Sequence, residues 1–168
     1  MSNYKRYFLN NRPTFITIVS YNRKYIFIEN IDILRNSFKN AKKYYKFDIV
    51  AITVMQDHLH FILSTKSSND IPKIIRLIKV YFTMNIQQEC TQLSNSRIKR
   101  GEKDVWQRRY YDHVIRDEGD LHKHIDYIHY NSLKHYNIVP KDWKYSSFKK
   151  FVSSGYYDDN WCNIIDEH

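Results

Sequence analysis

Hydrophobic residues recur along this chain with two different periods, and the way those periods alternate predicts the secondary structure. Stretches of β-branched and aromatic or continuously apolar residues are typical of strands. Apolar residues three and four positions apart, separated by polar ones, are typical of amphipathic helices. The predicted strands cover residues 14–21, 47–55, 58–64 and 105–116. The predicted helices cover residues 31–45, 71–89, 121–136 and 145–152.

The order of these elements predicts an α+β fold. Strand, helix, strand, strand, helix, strand is the outline of a ferredoxin-like (split βαβ) antiparallel sheet, here with further helices appended. Only Gln56 and Asp57 separate the second and third strands, so these two strands must pair antiparallel, with the third inside the sheet. The three glycines form no phosphate-binding loop, which argues against nucleotide-binding folds. We expect one catalytic domain over residues 1–152 and a C-terminal tail over residues 153–168.

The charge balance points to a nucleic-acid partner. The chain has 168 residues, with 27 Lys and Arg against 18 Asp and Glu, and its net charge is +9. It also carries 15 tyrosines, 9 phenylalanines and 3 tryptophans. Cations meet phosphates while aromatic rings stack on bases, a pairing suited to single-stranded nucleic acid. The alternative is a small basic protein whose charge only keeps it soluble. Two cysteines, a polar N-terminus and no apolar run of membrane-spanning length lead us to expect a cytoplasmic protein with no membrane partner.

Two histidines on the third strand are the first candidates for chemistry. His58 and His60 alternate with Leu59, Phe61 and Leu63, so the imidazoles share one face of the strand and the apolar residues share the other. Imidazoles spaced in this way, with Cβ atoms roughly 7 Å apart, can converge on one divalent ion. The alternative is a pair of histidines on a solvated face.

The helix over residues 121–136 carries the second group of candidates. Its buried stripe runs through Leu121, Ile125 and Ile128. Tyr127 and Asn131 lie one helical turn apart on a neighbouring face, from which they can face a site on the sheet. The alternative for Tyr127 is a boundary tyrosine that packs its ring and exposes its hydroxyl.

Basic residues cluster at two places that we expect to contact DNA. The stretch over residues 91–104 is polar and predicted to be a loop, and cations interleaved with aromatic residues continue to residue 111. An ordinary solvated loop explains this stretch equally well. A similar but weaker case holds for the N-terminus. The candidate DNA-binding residues are Lys5, Arg6, Arg12, Arg97, Lys99, Arg100, Arg108 and Arg109.

Taken together, these segments resemble a known family. The stretch MQDHLHFIL at 55–63 resembles the HUH strand (His, bulky hydrophobe, His) of single-strand DNA transposases. Three further stretches resemble the branch called REP-associated tyrosine transposases: VWQRRYYDHVIR at 105–116, HIDYIHYNSLKH at 124–135 and DWKYSSF at 142–148. The similarity runs from about Tyr4 to Phe151. Where many members of the family have Asn-Pro-Val, this chain has Asn131-Ser132-Leu133.

The resemblance implies both a fold and a function. It implies a ferredoxin-like sheet in which His58 and His60 ligate Mg²⁺ or Mn²⁺, with Asn131 in the position of the third ligand and Tyr127 as nucleophile. The protein would then be a metal-dependent single-stranded DNA endonuclease and strand transferase acting at hairpin-forming repeats through a 5′-phosphotyrosine intermediate. The family's DNA is a repetitive extragenic palindrome (REP) hairpin, whose foot the basic N-terminus is a candidate to touch. We expect a monomer, with a dimer as the alternative.

Two other functions stay open at the level of sequence. The first is a domesticated DNA-hairpin-binding protein that does not cut, whose binding would be indifferent to metal and to Tyr127. The second is a zinc hydrolase built on the two histidines, which needs a third ligand and an open coordination position. The strongly basic charge makes the hydrolase the weaker of the two.

Overall fold

The computed structural model describes residues 12–87 and 93–163, and within them four strands form one antiparallel sheet. The strands are β1 (Thr14–Val19), β2 (Phe47–Val54), β3 (His58–Thr65) and β4 (Tyr111–Val114). Their order across the sheet is β2-β3-β1-β4. The α+β, ferredoxin-like prediction is confirmed, and β3 lies in the interior of the sheet between β2 and β1.

Helices cover both faces of this sheet. They are α1 (Ile31–Lys42), α2 (Ile71–Asn85), α3 (Asn95–Lys99), α4 (Glu118–Tyr136) and α5 (Phe148–Ser153). Leu59, Phe61 and Leu63 of β3 face the core formed with α1 and α2, while Ile62 packs with α4 and α5. The strand period of two therefore divides β3 into a purely apolar face and the face that carries both histidines.

Several predicted boundaries differ from the observed ones around Trp106. The predicted strand over 105–116 is wrong in its first half, where the chain makes only an isolated bridge between Ser20 and Trp106. The indole turns into the core against α2, and its N–H donates to Lys79 O at 3.1 Å and Thr83 Oγ1 at 2.9 Å. A side chain anchored on a helix draws this backbone away from the sheet, so regular pairing begins only at Tyr111.

Other predicted elements are shifted at their ends. Helix α2 ends at Asn85, four residues before the predicted end. The predicted loop over 91–104 contains the short helix α3, whose first turn is capped by the Ser94 side chain accepting from Arg97 N. Helix α5 begins three residues later than predicted because Tyr145 O accepts a hydrogen bond from Val54 N, at the end of β2, at 2.8 Å.

The segment predicted as a C-terminal tail joins the core in its described part, residues 153–163. Tyr157 is 7% exposed and stacks on Phe148 with ring centroids 5.2 Å apart. Its hydroxyl donates to Asp126 Oδ1 on α4 at 2.7 Å. These contacts tie the end of the described chain to the helix that carries Tyr127. Among the described residues, no helix combines the length and the apolar character needed to cross a membrane.

Candidate active site

His58 and His60 lie side by side on β3 and are almost completely buried. They are 5% and 6% exposed, and their ring centroids are 4.8 Å apart. The predicted pairing of the two imidazoles on one face is therefore confirmed. Buried polar groups need partners, so the contacts of these rings decide what the site can do.

Each imidazole is held by one of its two nitrogens. His58 Nδ1 lies 2.6 Å from Asp57 Oδ1, in the turn that precedes the strand. His60 Nδ1 lies 2.7 Å from Thr17 Oγ1, which is directly opposite it on β1. These contacts fix both rings and direct their Nε2 atoms away from the sheet partners. In metal sites, a partner of this kind on the far nitrogen orients the imidazole for ligation.

Burial keeps His60 neutral. It lowers the pKa of His60 to about 3, and the nearby positive charges of His58, His135 and Lys134 act in the same direction. The Asn131 side chain lies against the ring and can accept a hydrogen bond from the protonated imidazole, which offsets part of this effect. A neutral imidazole has a free lone pair, and this is the form that binds a metal ion.

Helix α4 forms over the histidines because both of its ends are defined locally. The Asp117 side chain accepts from Asp120 N at 2.8 Å and caps the first turn. Asn137 ends the helix in the left-handed conformation, with φ of 54°. The helix packs on β2 and β3 through the predicted apolar stripe, which includes Ile125 and Ile128.

Tyr127 and His135 both contact the histidine pair from α4. The Tyr127 ring centroid is 5.2 Å from that of His60, and the His135 ring centroid is 5.2 Å from that of His58. Tyr127 is 37% exposed, so one side of its ring packs on the site while the rest meets solvent. Lys134 Nζ lies 5.3 Å from the Tyr127 ring and places a positive charge near the phenol.

Asn131 lies between these two residues and is fully buried. Its Nδ2 donates to Tyr127 O one turn earlier at 2.6 Å. Its Oδ1 accepts no hydrogen bond from the described part of the chain. A buried oxygen without a donor costs about 1–3 kcal/mol, so in this polar site the atom is open to a cation or to a hydrogen-bond donor of a ligand.

A second cluster of histidine and carboxylate lies at the start of α4. His113, Asp120 and His124 bring their ligand atoms within 4.8 Å of one another. Burial raises the pKa of Asp120, but the Arg116 backbone N–H, His113 and the positive charges of His124 and His113 outweigh it and hold the pKa at about 2. Asp120 Oδ2 accepts from Arg116 N at 2.9 Å and lies 2.8 Å from His113 Nε2. This ionised carboxylate joins β4 to α4.

The predicted DNA-binding residues that the structure describes are exposed, except for Arg97, which is buried. Arg12, Lys99, Arg100, Arg108 and Arg109 are exposed, although Arg108 also pairs with Glu102 at 2.9 Å. Arg97 is 7% exposed, donates to Lys103 O and Trp106 O, and lies 3.8 Å over the Tyr21 ring. The guanidinium of Arg97 is therefore used inside the fold, which argues against the expectation that it meets DNA. Lys5 and Arg6 lie outside the described residues.

Comparison with known proteins identifies the family. The model of the family described as "Transposase IS200 like" matches residues 9–131. The chain is 40% identical over 164 residues to a Haemophilus influenzae protein provisionally named a REP-associated tyrosine transposase, covering 96% of this chain and 93% of that protein. This chain belongs to the IS200-like transposases and, within them, to the REP-associated tyrosine transposases.

Two further REP-associated tyrosine transposases agree with this assignment. The Escherichia coli K12 protein of that name is 30% identical over 168 residues, covering 98% of this chain and 93% of its own length. A solved structure of a REP-associated tyrosine transposase bound to a REP hairpin matches with a TM-score of 0.76 and 28% identity, covering 100% of this chain and 95% of that one. The predicted family membership is thus confirmed over nearly the whole chain.

Thr17 holds His60 through its hydroxyl, yet nothing in the sequence singles this threonine out. The sequence shows only that Thr17 alternates with Ile16 and Ile18 in β1. To predict its contact with His60, one would need to know the register in which β1 pairs with β3. Asp57 is different, because it precedes His58 directly and is visible in the sequence as a carboxylate beside a histidine.

Proposed function

We propose that this protein is a metal-dependent single-stranded DNA endonuclease and strand transferase that acts at hairpin-forming repeats through a 5′-phosphotyrosine on Tyr127. The contact that carries the proposal is that of the Tyr127 ring with His60, at 5.2 Å between centroids, beside two buried imidazoles on one strand face. The family supplies the general activity of a transposase. Its site must therefore contain a group able to attack a phosphodiester.

The donor atoms of this site fit a divalent cation. His58 and His60 are each fixed at Nδ1, which leaves Nε2 for a ligand, and Asn131 Oδ1 is buried without a donor among the described residues. Two imidazole nitrogens and one amide oxygen form a neutral set that leaves coordination positions for substrate. We propose that these three residues hold Mg²⁺ or Mn²⁺. Such an ion, when bound, supplies positive charge to a phosphate oxygen as negative charge builds on it.

The chain's own groups perform the remaining steps. Tyr127 Oη attacks the phosphorus, a bond forms between them, and the bond from phosphorus to the 3′ oxygen breaks. The phenol loses its proton, and the departing 3′ oxygen gains one to become a hydroxyl. The 5′ phosphate stays on Tyr127, and attack by another 3′ hydroxyl reverses the step and joins two strands. Lys134 Nζ, 5.3 Å from the centroid of the Tyr127 ring, places a positive charge beside the attacking phenol.

Hairpin DNA is the proposed partner. A relative with 28% identity was solved bound to a REP hairpin, and this chain carries a net charge of +9. The exposed cations Lys99, Arg100 and Arg109 provide phosphate contacts on the described surface. A protein that holds a hairpin beside Tyr127 would select the single-stranded flank of that hairpin for cleavage.

The test is a covalent-adduct assay. The protein is incubated with Mn²⁺ and a labelled single strand that contains a hairpin-forming repeat from the genome that encodes the chain. We expect a labelled protein band that survives denaturation in the wild type and is absent from Tyr127→Phe. Tyr130→Phe is the matched control, because Tyr130 lies on the same helix, is 43% exposed and should leave the adduct unchanged.

The outcomes separate the proposed function from its alternatives. An adduct that persists in Tyr127→Phe would refute the assignment of the nucleophile. Hairpin binding without any adduct, unaffected by a chelator, would indicate a protein that binds DNA and does not cut it. Tight zinc binding with hydrolysis that is indifferent to Tyr127→Phe would indicate the hydrolase instead.

A further inference from the structure

A cleft of about 540 Å³ opens beside Tyr127 and extends toward the edge strand β4. This volume lies within the range of roughly 300–1,000 Å³ typical of sites for small organic ligands. The lining residues that matter here are Phe15, His60, Tyr111, Lys123, His124 and Tyr127. The cleft thus begins at Tyr127, the proposed nucleophile, and continues to Tyr111 on β4.

Three side chains of this cleft lie in one row across the sheet. Tyr111 of β4 pairs with Thr17 of β1, and Thr17 pairs with His60 of β3. Two strand spacings, roughly 9.5 Å, therefore separate the backbone of Tyr111 from that of His60. The cleft therefore extends across three strands, from His60 on β3 to Tyr111 on β4.

Tyr111 is suited to contact a planar ligand. It is 60% exposed, although it belongs to a strand of the sheet. The ring is supported from one side by Phe15, with centroids 6.3 Å apart and the planes at 70°. Phe15 itself is 4% exposed and also packs on Tyr127 at 5.9 Å. An exposed aromatic ring held by a buried one offers a stacking surface at little cost in conformational entropy.

His124 is held so that one ring nitrogen is open. Its Nδ1 lies 2.8 Å from Asp120 O and 3.2 Å from Asp120 Oδ1. The ring packs between Phe15 at 4.8 Å and His113 at 4.7 Å. No described residue hydrogen-bonds its Nε2, so this atom can contact a ligand in the cleft. The cluster at the start of α4 therefore serves to orient His124.

We propose that this cleft binds one unpaired base of the DNA strand being cleaved, next to the scissile phosphate. The base stacks on Tyr111, a hydrogen-bonding edge meets His124, and Lys123 contacts the backbone phosphate on the far side. A phosphate alone would not explain a lining that contains three aromatic rings and a single lysine. This inference rests on the proposed function, since it takes Tyr127 as the point of cleavage.

The experiment is an abasic scan combined with substitutions of Tyr111. A labelled hairpin with single-stranded flanks fixes the register, and each flank nucleotide in turn is replaced by an abasic site. Binding is measured by fluorescence anisotropy in a Tyr127→Phe background, so cleavage is not required. We expect one abasic position to weaken binding by roughly 5- to 150-fold, the range for loss of one stacked base.

Double-mutant cycles then assign that position to the cleft. In Tyr111→Ala, the same abasic site should cause no further loss, while Tyr111→Phe should behave as the unsubstituted background does. Tyr44→Ala removes another exposed tyrosine, 67% exposed and far along the chain, and serves as the matched control. If every abasic position costs the same with and without Tyr111, the base-binding inference is overturned. The adduct assay reads Tyr127 chemistry separately, so the two proposals can fail independently.

Discussion

Asp57 Oδ1 lies 2.6 Å from His58 Nδ1, and the same carboxylate reaches Arg23 Nη1 at 3.3 Å through its other oxygen. The carboxylate therefore fixes the orientation of the imidazole and leaves Nε2 directed elsewhere. Second partners of this kind raise the basicity of a ligating histidine. The pair is the feature of the site that most directly links the β2–β3 turn to the proposed metal chemistry.

The first prediction concerns Asp57→Asn. An amide in place of the carboxylate keeps the shape of the turn but removes the negative charge beside His58. We expect the affinity for Mn²⁺ to fall by roughly 10- to 100-fold, as for other partners of ligating histidines. Isothermal titration calorimetry measures it directly. Asp48→Asn, at an exposed position on β2, should leave the affinity unchanged, and equal affinities for the two variants would contradict the role of Asp57.

The second prediction concerns Asn131→Leu. Leucine matches the shape of asparagine, removes the hydrogen bond from Nδ2 to Tyr127 O and removes the buried oxygen for which the described residues provide no donor. These effects oppose each other, so the free energy of unfolding of the metal-free protein should stay within about 1 kcal/mol of the wild type. Formation of the Tyr127 adduct should be lost, because the site loses its amide oxygen.

The control for Asn131→Leu is its neighbour on the helix. Ser132 is 1% exposed and its Oγ also lacks a hydrogen bond within the described residues. Ser132→Ala should therefore leave adduct formation intact and should not lower the free energy of unfolding. Denaturant titration and the adduct assay are run on both variants. Full activity in Asn131→Leu would remove Asn131 from the proposed metal site.

The third prediction concerns Arg97. Replacement by methionine leaves Lys103 O and Trp106 O without their donor and removes the contact with the Tyr21 ring. We expect the free energy of unfolding to fall by about 3 kcal/mol, measured by urea denaturation. The reason is structural, since the guanidinium lies inside the fold.

Lys99→Met provides the contrast on the same short helix. Lys99 is exposed, so its replacement should change the free energy of unfolding by less than about 0.5 kcal/mol. If Lys99 meets a phosphate, the slope of log affinity for hairpin DNA against log salt should decrease by about one. If Arg97→Met were as stable as the wild type and its affinity for hairpin DNA depended less on salt, Arg97 would be the DNA contact and not a structural residue.

The fourth prediction is a dependence of stability on acid. The pKa of Asp120 is about 2 in the folded protein, against a usual value of 3.8. Between these two pH values the unfolded chain binds more protons than the folded one. The contribution of Asp120 to the free energy of unfolding is therefore fully present above about pH 4 and is lost as the pH falls toward 2. Asp120→Asn should be less stable than the wild type at pH 6 by about 2 kcal/mol. In denaturant titrations, the difference in the free energy of unfolding between the wild type and Asp120→Asn should be smaller at pH 3. A difference that does not change with pH would contradict the role of the ionised Asp120 carboxylate.

The parts of the site that sequence predicted are those set by local periodicity. The alternation of His58 and His60 with apolar residues required only the period of a strand, and the spacing of Tyr127 and Asn131 required only the period of a helix. The structure brings both pairs together as expected. The roles of these residues stay predictions until the adduct and metal assays are performed.

What sequence could not provide are the contacts made by residues distant in the chain. The sequence around Arg97 predicts an exposed cation, because neighbouring residues do not indicate that Tyr21 and Trp106 will enclose it. Tyr157 reads as part of a tail because its partners Phe148 and Asp126 depend on how α4 and α5 pack. In each case tertiary packing, rather than local preference, decided the environment.

Tyr127 and Asn131 are one turn apart on α4, which packs on the sheet through Leu121, Ile125 and Ile128. The phenol of Tyr127 and the amide of Asn131 therefore move together with α4. Any swing of α4 that carried a DNA end away would withdraw the amide oxygen from the imidazoles at the same moment. Under the proposed mechanism, strand exchange would therefore bring the incoming 3′ end to Tyr127, and the DNA rather than the helix would move.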